Sequence, residues 1–366
     1  MHVGLLLVWQ NWHEDLSDEE MYREEIKLGL RAEELGFDSL WSAEHHFDDY
    51  SMCPDNMQVM SYFAGRTSRI KLGTGAVIVP WWDPLRVAEK VALLDHLCDG
   101  RLILGLGRGL AKMEYEGFRA DMNASREVFD EAADLLLRTL DTGIAESDGP
   151  RFPQPRVEIR PAPNPERSFR ARLFCVAMSP DSVEAAGDLG ATMMSFIQRP
   201  IDEHLEMIER WRERFREKHP ELGEPPPPLL TDFTYCHEDA AEAERMAHEY
   251  IGRYFLSVIK HYDFAGTHWR ETKGYQAYQR GADMIREAGM ETAAANFVRS
   301  QIWGTPEQIV EKMRARMDVV GEFQSSLSVS YAGMPFDKVN DSLSLLGTKV
   351  VPELQKLGLT AAARSR

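Results

Sequence analysis

A carboxylate and two imidazoles stand side by side at Glu44-His45-His46, directly after the short apolar run Phe37-Asp38-Ser39-Leu40-Trp41-Ser42-Ala43. Such a group can hold a proton or pass one to a ligand, and imidazole does so near neutral pH. Its placement matters as much as its composition. The run follows Gly36 and reads as a strand buried on both faces, as in parallel sheets covered by helices. Titratable groups at the C-terminal end of such a strand stand where α/β barrels place their chemistry. The plainer reading is a strand-end polar cluster satisfied by the backbone, because titratable clusters are structural as well as functional. Successive side chains on an extended segment point to opposite sides. His45 and His46 are therefore poorly disposed to chelate one ion, and no metal is expected.

A second group of residues suits an anion. Gly105-Leu106-Gly107-Arg108-Gly109-Leu110 closes another strand-like run with alternating glycines, which let a ligand approach the backbone. A dinucleotide fingerprint would need glycine where Leu110 stands. Arg108 amid those glycines suits a phosphate held by charge-assisted hydrogen bonds, or it is a surface arginine in a turn. Further on, Met178-Ser179-Pro180-Asp181-Ser182 opens a helix, where free amides and the dipole favour an anion. Simple N-capping accounts for Ser179 or Ser182 taken singly. Together with Arg108 they make three phosphate partners at one end of adjacent strands, and Arg126 adds a fourth. In Gly73-Thr74-Gly75-Ala76-Val77, Gly75 permits close contact beside a flat ligand, or marks a bulge. There is no GxSxG elbow and no HExxH pair.

The elements that must position these residues alternate. Strands are expected near 3–8, 38–42, 70–78, 101–106, 173–177, 192–196, 229–234 and 325–330. Amphipathic segments lie between them at 18–35, 84–98, 125–140, 181–189, 201–218, 238–258, 306–319 and 335–351. Eight strands in this order predict a (β/α)8 TIM barrel, with an open doubly wound sheet as competitor because periodicity does not distinguish closure. Ser17, Ser125 and Thr305 are expected to cap helices. Residues 145–171 read as an excursion, a hairpin before the fifth strand. Residues 259–303 read as a long loop rich in aromatics, including Tyr262, Phe264, Trp269, Tyr275 and Tyr278, and are expected to form an active-site lid.

Composition excludes several classes. With 366 residues, 43% of them hydrophobic and 28% charged, the chain supplies a globular core, expected as a single barrel domain. A net charge of −17 argues against nucleic acid or an anionic membrane as the partner, though not against a small anion held by one arginine. Cys53, Cys98, Cys175 and Cys236 form no CxxC pair, which fits a reducing cytosol. The first residues, Met1-His2-Val3-Gly4-Leu5-Leu6-Leu7-Val8, lack a basic leader and read as a strand rather than a signal peptide. A cytoplasmic protein is expected.

Several separate pieces, in order, resemble the bacterial luciferase-like flavin-dependent monooxygenases, in the luciferase alpha-subunit branch. They are Glu33-Glu34-Leu35-Gly36-Phe37-Asp38, Trp41 with Glu44-His45-His46-Phe47, Gly73-Thr74, Leu93-Leu94-Asp95 to Gly100-Arg101, Arg108-Gly109-Leu110, Asp121-Met122-Asn123 to Ser125-Arg126, and Gly304-Thr305-Pro306-Glu307-Gln308. The resemblance implies a barrel that binds reduced FMN (FMNH2) supplied by a separate flavin reductase. It implies reaction with O2 through a 4a-hydroperoxyflavin that oxidises a small apolar organic substrate. By position, His45 matches the catalytic histidine, Glu44 lies beside the flavin, and Gly75-Ala76 matches a non-proline cis peptide. Arg108, Arg126, Ser179 and Ser182 match phosphate partners, with the backbone of Leu110 and Met178 nearby. Residues 259–303 match a mobile lid, and a homodimer is implied. The chain departs from the luciferase pattern at Gly107 (cysteine there), Met178 (glutamate) and Ala111 (tyrosine), which sets light emission in doubt while leaving flavin binding largely intact. Two alternatives remain: a deazaflavin-dependent hydride transferase of the same superfamily, and a non-catalytic flavoprotein, against which the Glu44-His45 pair argues.

Overall fold

A computed structural model describes residues 1–264 and 266–364, with side chains to residue 357. The strands are β1 (Val3–Leu7), β2 (Ser39–Ser42), β3 (Lys71–Thr74), β4 (Leu102–Gly107), β5 (Leu173–Val176), β6 (Thr192–Phe196), β7 (Leu229–Phe233) and β8 (Gln324–Ser328). All pair in parallel, and β1 lies between β2 and β8. The competing open sheet fails at one seam: β3 pairs with β4 through Leu72 opposite Leu102 and Gly73 opposite Ile103, closing the barrel. A short continuation, Val77–Ile78, adds to the end of β4.

Packing inside the barrel follows size complementarity. Trp41 is 1% exposed and projects where the neighbouring strands carry glycine. A Cβ on Gly4 would fall 2.7 Å from its indole nitrogen, and one on Gly73 would fall 2.3 Å from its ring. The indole N–H donates to Ser39 Oγ at 2.7 Å, so the buried ring leaves no donor unmet. Asp232 on β7 is fully buried and is held by Arg316 at 2.5 and 2.9 Å, a two-pronged pair that leaves neither charge alone.

Helix starts follow their caps. Ser17 and Thr305 each form a capping box, with Glu20 and Gln308. Ser125 does not cap: it is already the first helical residue of Ser125–Thr142. Asp121 makes the turn instead, accepting from the Asn123 amide at 2.9 Å, and this frees the Ser125 hydroxyl to meet the Tyr275 hydroxyl at 3.1 Å. The expected helices at 238–258 and 335–351 are each broken by a π-turn, Ala247–Ile251 and Leu346–Val350. Two short helices escaped the periodicity, Asn56–Ala64 and Lys112–Phe118. The strand expected at 70–78 breaks at Gly75-Ala76, whose peptide is cis.

The excursion contains the expected hairpin, Ile144–Ser147 against Gln154–Glu158. The long loop expected at 259–303 is instead mostly helical. It holds Gln276–Ala288 and Met290–Ser300 after a short turn at His268–Arg270. Its aromatics explain the difference: Phe264, Trp269, Tyr275 and Tyr278 stack on one another at 5.3 to 6.4 Å and form a small core of their own. All four cysteines are free and buried. Among the described residues, no helix is long and apolar enough to cross a membrane.

Candidate active site

A cavity opens at the C-terminal ends of the barrel strands. Seven of the eight strand ends contribute to its wall: Leu6 and Val8 from β1, Ala43 to His45 from β2, Gly75 and Ala76 after β3, and Gly107 to Leu110 from β4. Val176 and Met178 follow β5, Phe196 to Gln198 follow β6, and Phe233 ends β7. The segment after the Gly252–His261 helix roofs it with Tyr262, Tyr278 and Phe297.

Alternation along the segment after β2 separates its two histidines. His46 turns away, its Nε2 3.4 Å from Glu44 Oε1 and its ring edge-on to Phe118. Glu44 lines the cavity while its carboxylate accepts from the Ile78 amide at 3.2 Å and the Trp82 indole at 2.8 Å. Burial pushes its carboxyl up, against the pull of those donors. His45 Nδ1 meets Glu114 Oε1 at 3.0 Å, and its Nε2 meets the Tyr262 hydroxyl at 3.2 Å. Burial pushes this imidazole below its ordinary value, with Glu114 opposing.

Glu114 also accepts from the His46 amide at 2.9 Å. Burial would raise its carboxyl, but His45 and His261 outweigh that and hold it near about 2. His261 approaches the same oxygen at 3.6 Å and presents its other nitrogen to Asp48 at 3.2 Å. His45, Glu114 and His261 each offer one ligand atom within 4.8 Å of the others, a spacing that suits either an ion or a hydrogen-bonded charge network. Sequence reasoning passed over Glu114, because it lies on a seven-residue helix with no motif of its own. Its position one turn after the Arg108-Gly109-Leu110 loop was the available signal.

The anion-binding group also converges, with an unexpected member. Arg108 reaches Asp181 Oδ2 at 2.8 Å, and Arg126 reaches the same oxygen at 2.9 and 3.0 Å. Two guanidiniums thus share one carboxylate beside the start of the Pro180–Asp188 helix, and Arg126 also reaches Asp130 at 3.3 Å, so two cations face two carboxylates there. The serines form a capping box with each other: Ser182 Oγ accepts from the amides of Met178 and Ser179 at 3.0 and 2.9 Å. Ser182 lines the cavity together with Arg108, Leu110 and Met178, whereas Ser179 and Arg126 stand behind the wall. Between these groups the wall is low. A Cβ on Gly107 would lie 2.9 Å from Ile78 Cδ1 and 3.4 Å from Ala76 Cβ, so a cysteine there would displace Ile78.

The roof is tied down at both groups. Arg108 donates to the Gly274 carbonyl at 3.0 Å and lies 4.1 Å over the Tyr275 ring. The Tyr275 hydroxyl donates to the Gly109 carbonyl at 2.9 Å. At the other side Tyr262 reaches His45.

A family model described as luciferase-like monooxygenase matches residues 1–322. The alkanal monooxygenase alpha chain of Photorhabdus luminescens is 26% identical over 359 residues, 93% of either chain. Among solved structures, a monooxygenase from Streptomyces bottropensis superposes with a TM-score of 0.75 at 25% identity, over 97% of this chain and 100% of that one. The FMN-bound oxygenating constituent of 3,6-diketocamphane monooxygenase from Pseudomonas putida gives 0.73 at 18% identity, over 96% and 98%. An F420-dependent secondary alcohol dehydrogenase shares the fold at 0.69 and 16% identity, over 96% and 98%.

Proposed function

Because the chain belongs to the luciferase-like monooxygenase family and is a flavin-dependent monooxygenase, we propose that it is the oxygenase component of a two-component system. It takes FMNH2 from a separate flavin reductase and uses O2 to oxidise a small apolar organic substrate. One observation carries this reading: a single cavity joins the Arg108 guanidinium, backed by Arg126 and suited to phosphate, a low glycine wall and the His45 imidazole.

The residues fit that cofactor. Arg108, backed by Arg126, supplies charge-assisted donors for the phosphate, which would compete with Asp181 for them. Gly107, Gly75 and Ala76 leave room for a flat ring, where a side chain at 107 would intrude. When bound, reduced FMN supplies the electrons that activate O2. His45 holds or accepts a proton at Nε2, because its Nδ1 is committed to Glu114. Leu6, Val8, Phe196, Phe233, Tyr254 and Phe297 exclude water and favour an apolar substrate.

The roof over residues 259–303 acts as a lid that releases Arg108 and His45 when it opens. A cytoplasmic homodimer completes the proposal, and light scattering that finds a monomer would remove the second term. Oxygen-coupled turnover with FMN and a reductase tests the whole; protein that never binds reduced FMN would sink it. The F420-dependent neighbour supports a second reading, hydride transfer with a deazaflavin, and parallel titration with both reduced cofactors separates the two.

A further inference from the structure

We propose that His261 is a positioning residue: clamped between Asp48 and Glu114, it carries a positive charge that, together with burial, keeps His45 neutral and able to accept a proton. The role assigned to His45 rests on the function proposed above; the electrostatic arrangement does not.

The cluster is a line of alternating charge. Asp48 Oδ2 lies 3.2 Å from His261 Nδ1, and His261 Nε2 lies 3.6 Å from Glu114 Oε1. Glu114 Oε1 lies 3.0 Å from His45 Nδ1. A carboxylate touching one imidazole ordinarily favours its charged form, so Glu114 works against the burial that holds His45 neutral. His261 has two carboxylates, and its pKa is raised accordingly although burial works against it. Its ring stands edge-on to His45 at 4.9 Å, within the range where a like charge strongly disfavours a second proton. One cation between two carboxylates therefore spends the negative charge of Glu114 on His261. Glu114 then only orients His45, as the buried carboxylate of a hydrolase triad orients its imidazole.

The other groups around the cluster do not supply this charge. Tyr50 stacks on His261 at 4.3 Å, with its hydroxyl on Tyr254, and Tyr262 meets His45; all three hydroxyls stay neutral, pushed upward by burial. Lys260 is exposed and lies 4.0 and 3.8 Å from Asp48 and Asp49, on the far side of the cluster. Glu44 is engaged by His46, Trp82 and Ile78. A metal ion at the same three ligands is the competing occupant. It is disfavoured because Glu114 Oε1 already receives both the His46 amide and His45 at hydrogen-bonding distance.

The test uses full-length, flavin-free protein and follows the His45 imidazole by NMR across pH, with His45→Gln assigning the signal. In His261→Gln and in Asp48→Asn, which deprives His261 of its partner, the His45 midpoint should rise by on the order of 1 to 2 units. Asp48→Glu should restore the wild-type midpoint. In turnover assays the acidic limb should move up with it, while the melting temperature and the affinity for FMN hold. An unchanged His45 midpoint in a folded His261→Gln protein would overturn the proposal; if that variant does not fold, Asp48→Asn decides alone. One equivalent of divalent metal in purified protein, removable by chelator, would overturn it equally. Because the titration needs no flavin, it stands apart from failure of the monooxygenase reading.

Discussion

Replacing Arg108 with alanine separates cofactor recognition from simple tethering. The guanidinium now serves three partners: Asp181 at 2.8 Å, the Gly274 carbonyl at 3.0 Å and the face of Tyr275 at 4.1 Å. A phosphate arriving at this end of the cavity would draw a charge-assisted hydrogen bond from it, contributing ~1.5–3 kcal/mol. At about 1.4 kcal/mol per tenfold, that predicts FMN binding weakened by roughly 10- to 150-fold. Riboflavin, which lacks the phosphate, is the control. It should bind the alanine variant as well as it binds the wild type, because the ring wall is untouched. Arg108→Lys keeps the charge but loses the planar fork and the stacking, so it should fall between. Fluorescence titration with both flavins gives the answer. Equal weakening of FMN and riboflavin would mean that Arg108 acts through the roof segment and that the phosphate assignment is wrong. No weakening of either would remove Arg108 from the site.

Further expectations concern catalysis and stability. His45→Ala should lower turnover by ~100- to 10,000-fold while FMN affinity and melting temperature barely move, with peroxide released instead of product. His46→Ala is the control because it faces Glu44, and equal losses at both positions would refute the division of roles. Glu25 is fully buried beside the Ser330 hydroxyl, and burial pushes its carboxyl up to about 8 although Ser330 opposes the shift. The folded state therefore keeps a proton that the unfolded chain releases in the ordinary carboxylate range, so stability falls as pH rises from that range through about 8. Glu25→Gln should flatten that decline in urea melts at about pH 5 and about pH 9, and a variant as pH-sensitive as wild type would contradict it. Arg316→Met should cost ~3–5 kcal/mol by stranding Asp232, and a near-neutral result would show that Asp232 finds another partner or a proton.

The barrel was legible because short strand-like runs, several of them apolar throughout, alternate with amphipathic segments, and β6 falls on the residues expected. The ends were less so. Asn56–Ala64 and Lys112–Phe118 are too short for helical periodicity to declare itself. Closure was invisible because the β3–β4 seam depends on register rather than on pattern. At the site, His45, Arg108 and the glycines announced themselves by residue type at a strand end. Asp181 and His261 did not, since an acid in the first turn of a helix and a histidine in the last turn are ordinary there. Their meaning comes from partners 55 and 213 residues away. The stretch at 259–303 read as loop because its cluster of aromatics drew the reading, although Gln276–Ala288 and Met290–Ser300 carry the apolar period of amphipathic helices.

The central claim is best tested by mixing anaerobic protein with reduced FMN or reduced deazaflavin, then adding isotopically labelled O2 and a panel of apolar aldehydes, ketones and terpenes. The account predicts saturable binding of reduced FMN and one labelled oxygen atom in the product. Protein that ignores reduced FMN, or that reduces a substrate with deazaflavin while consuming no oxygen, would contradict it.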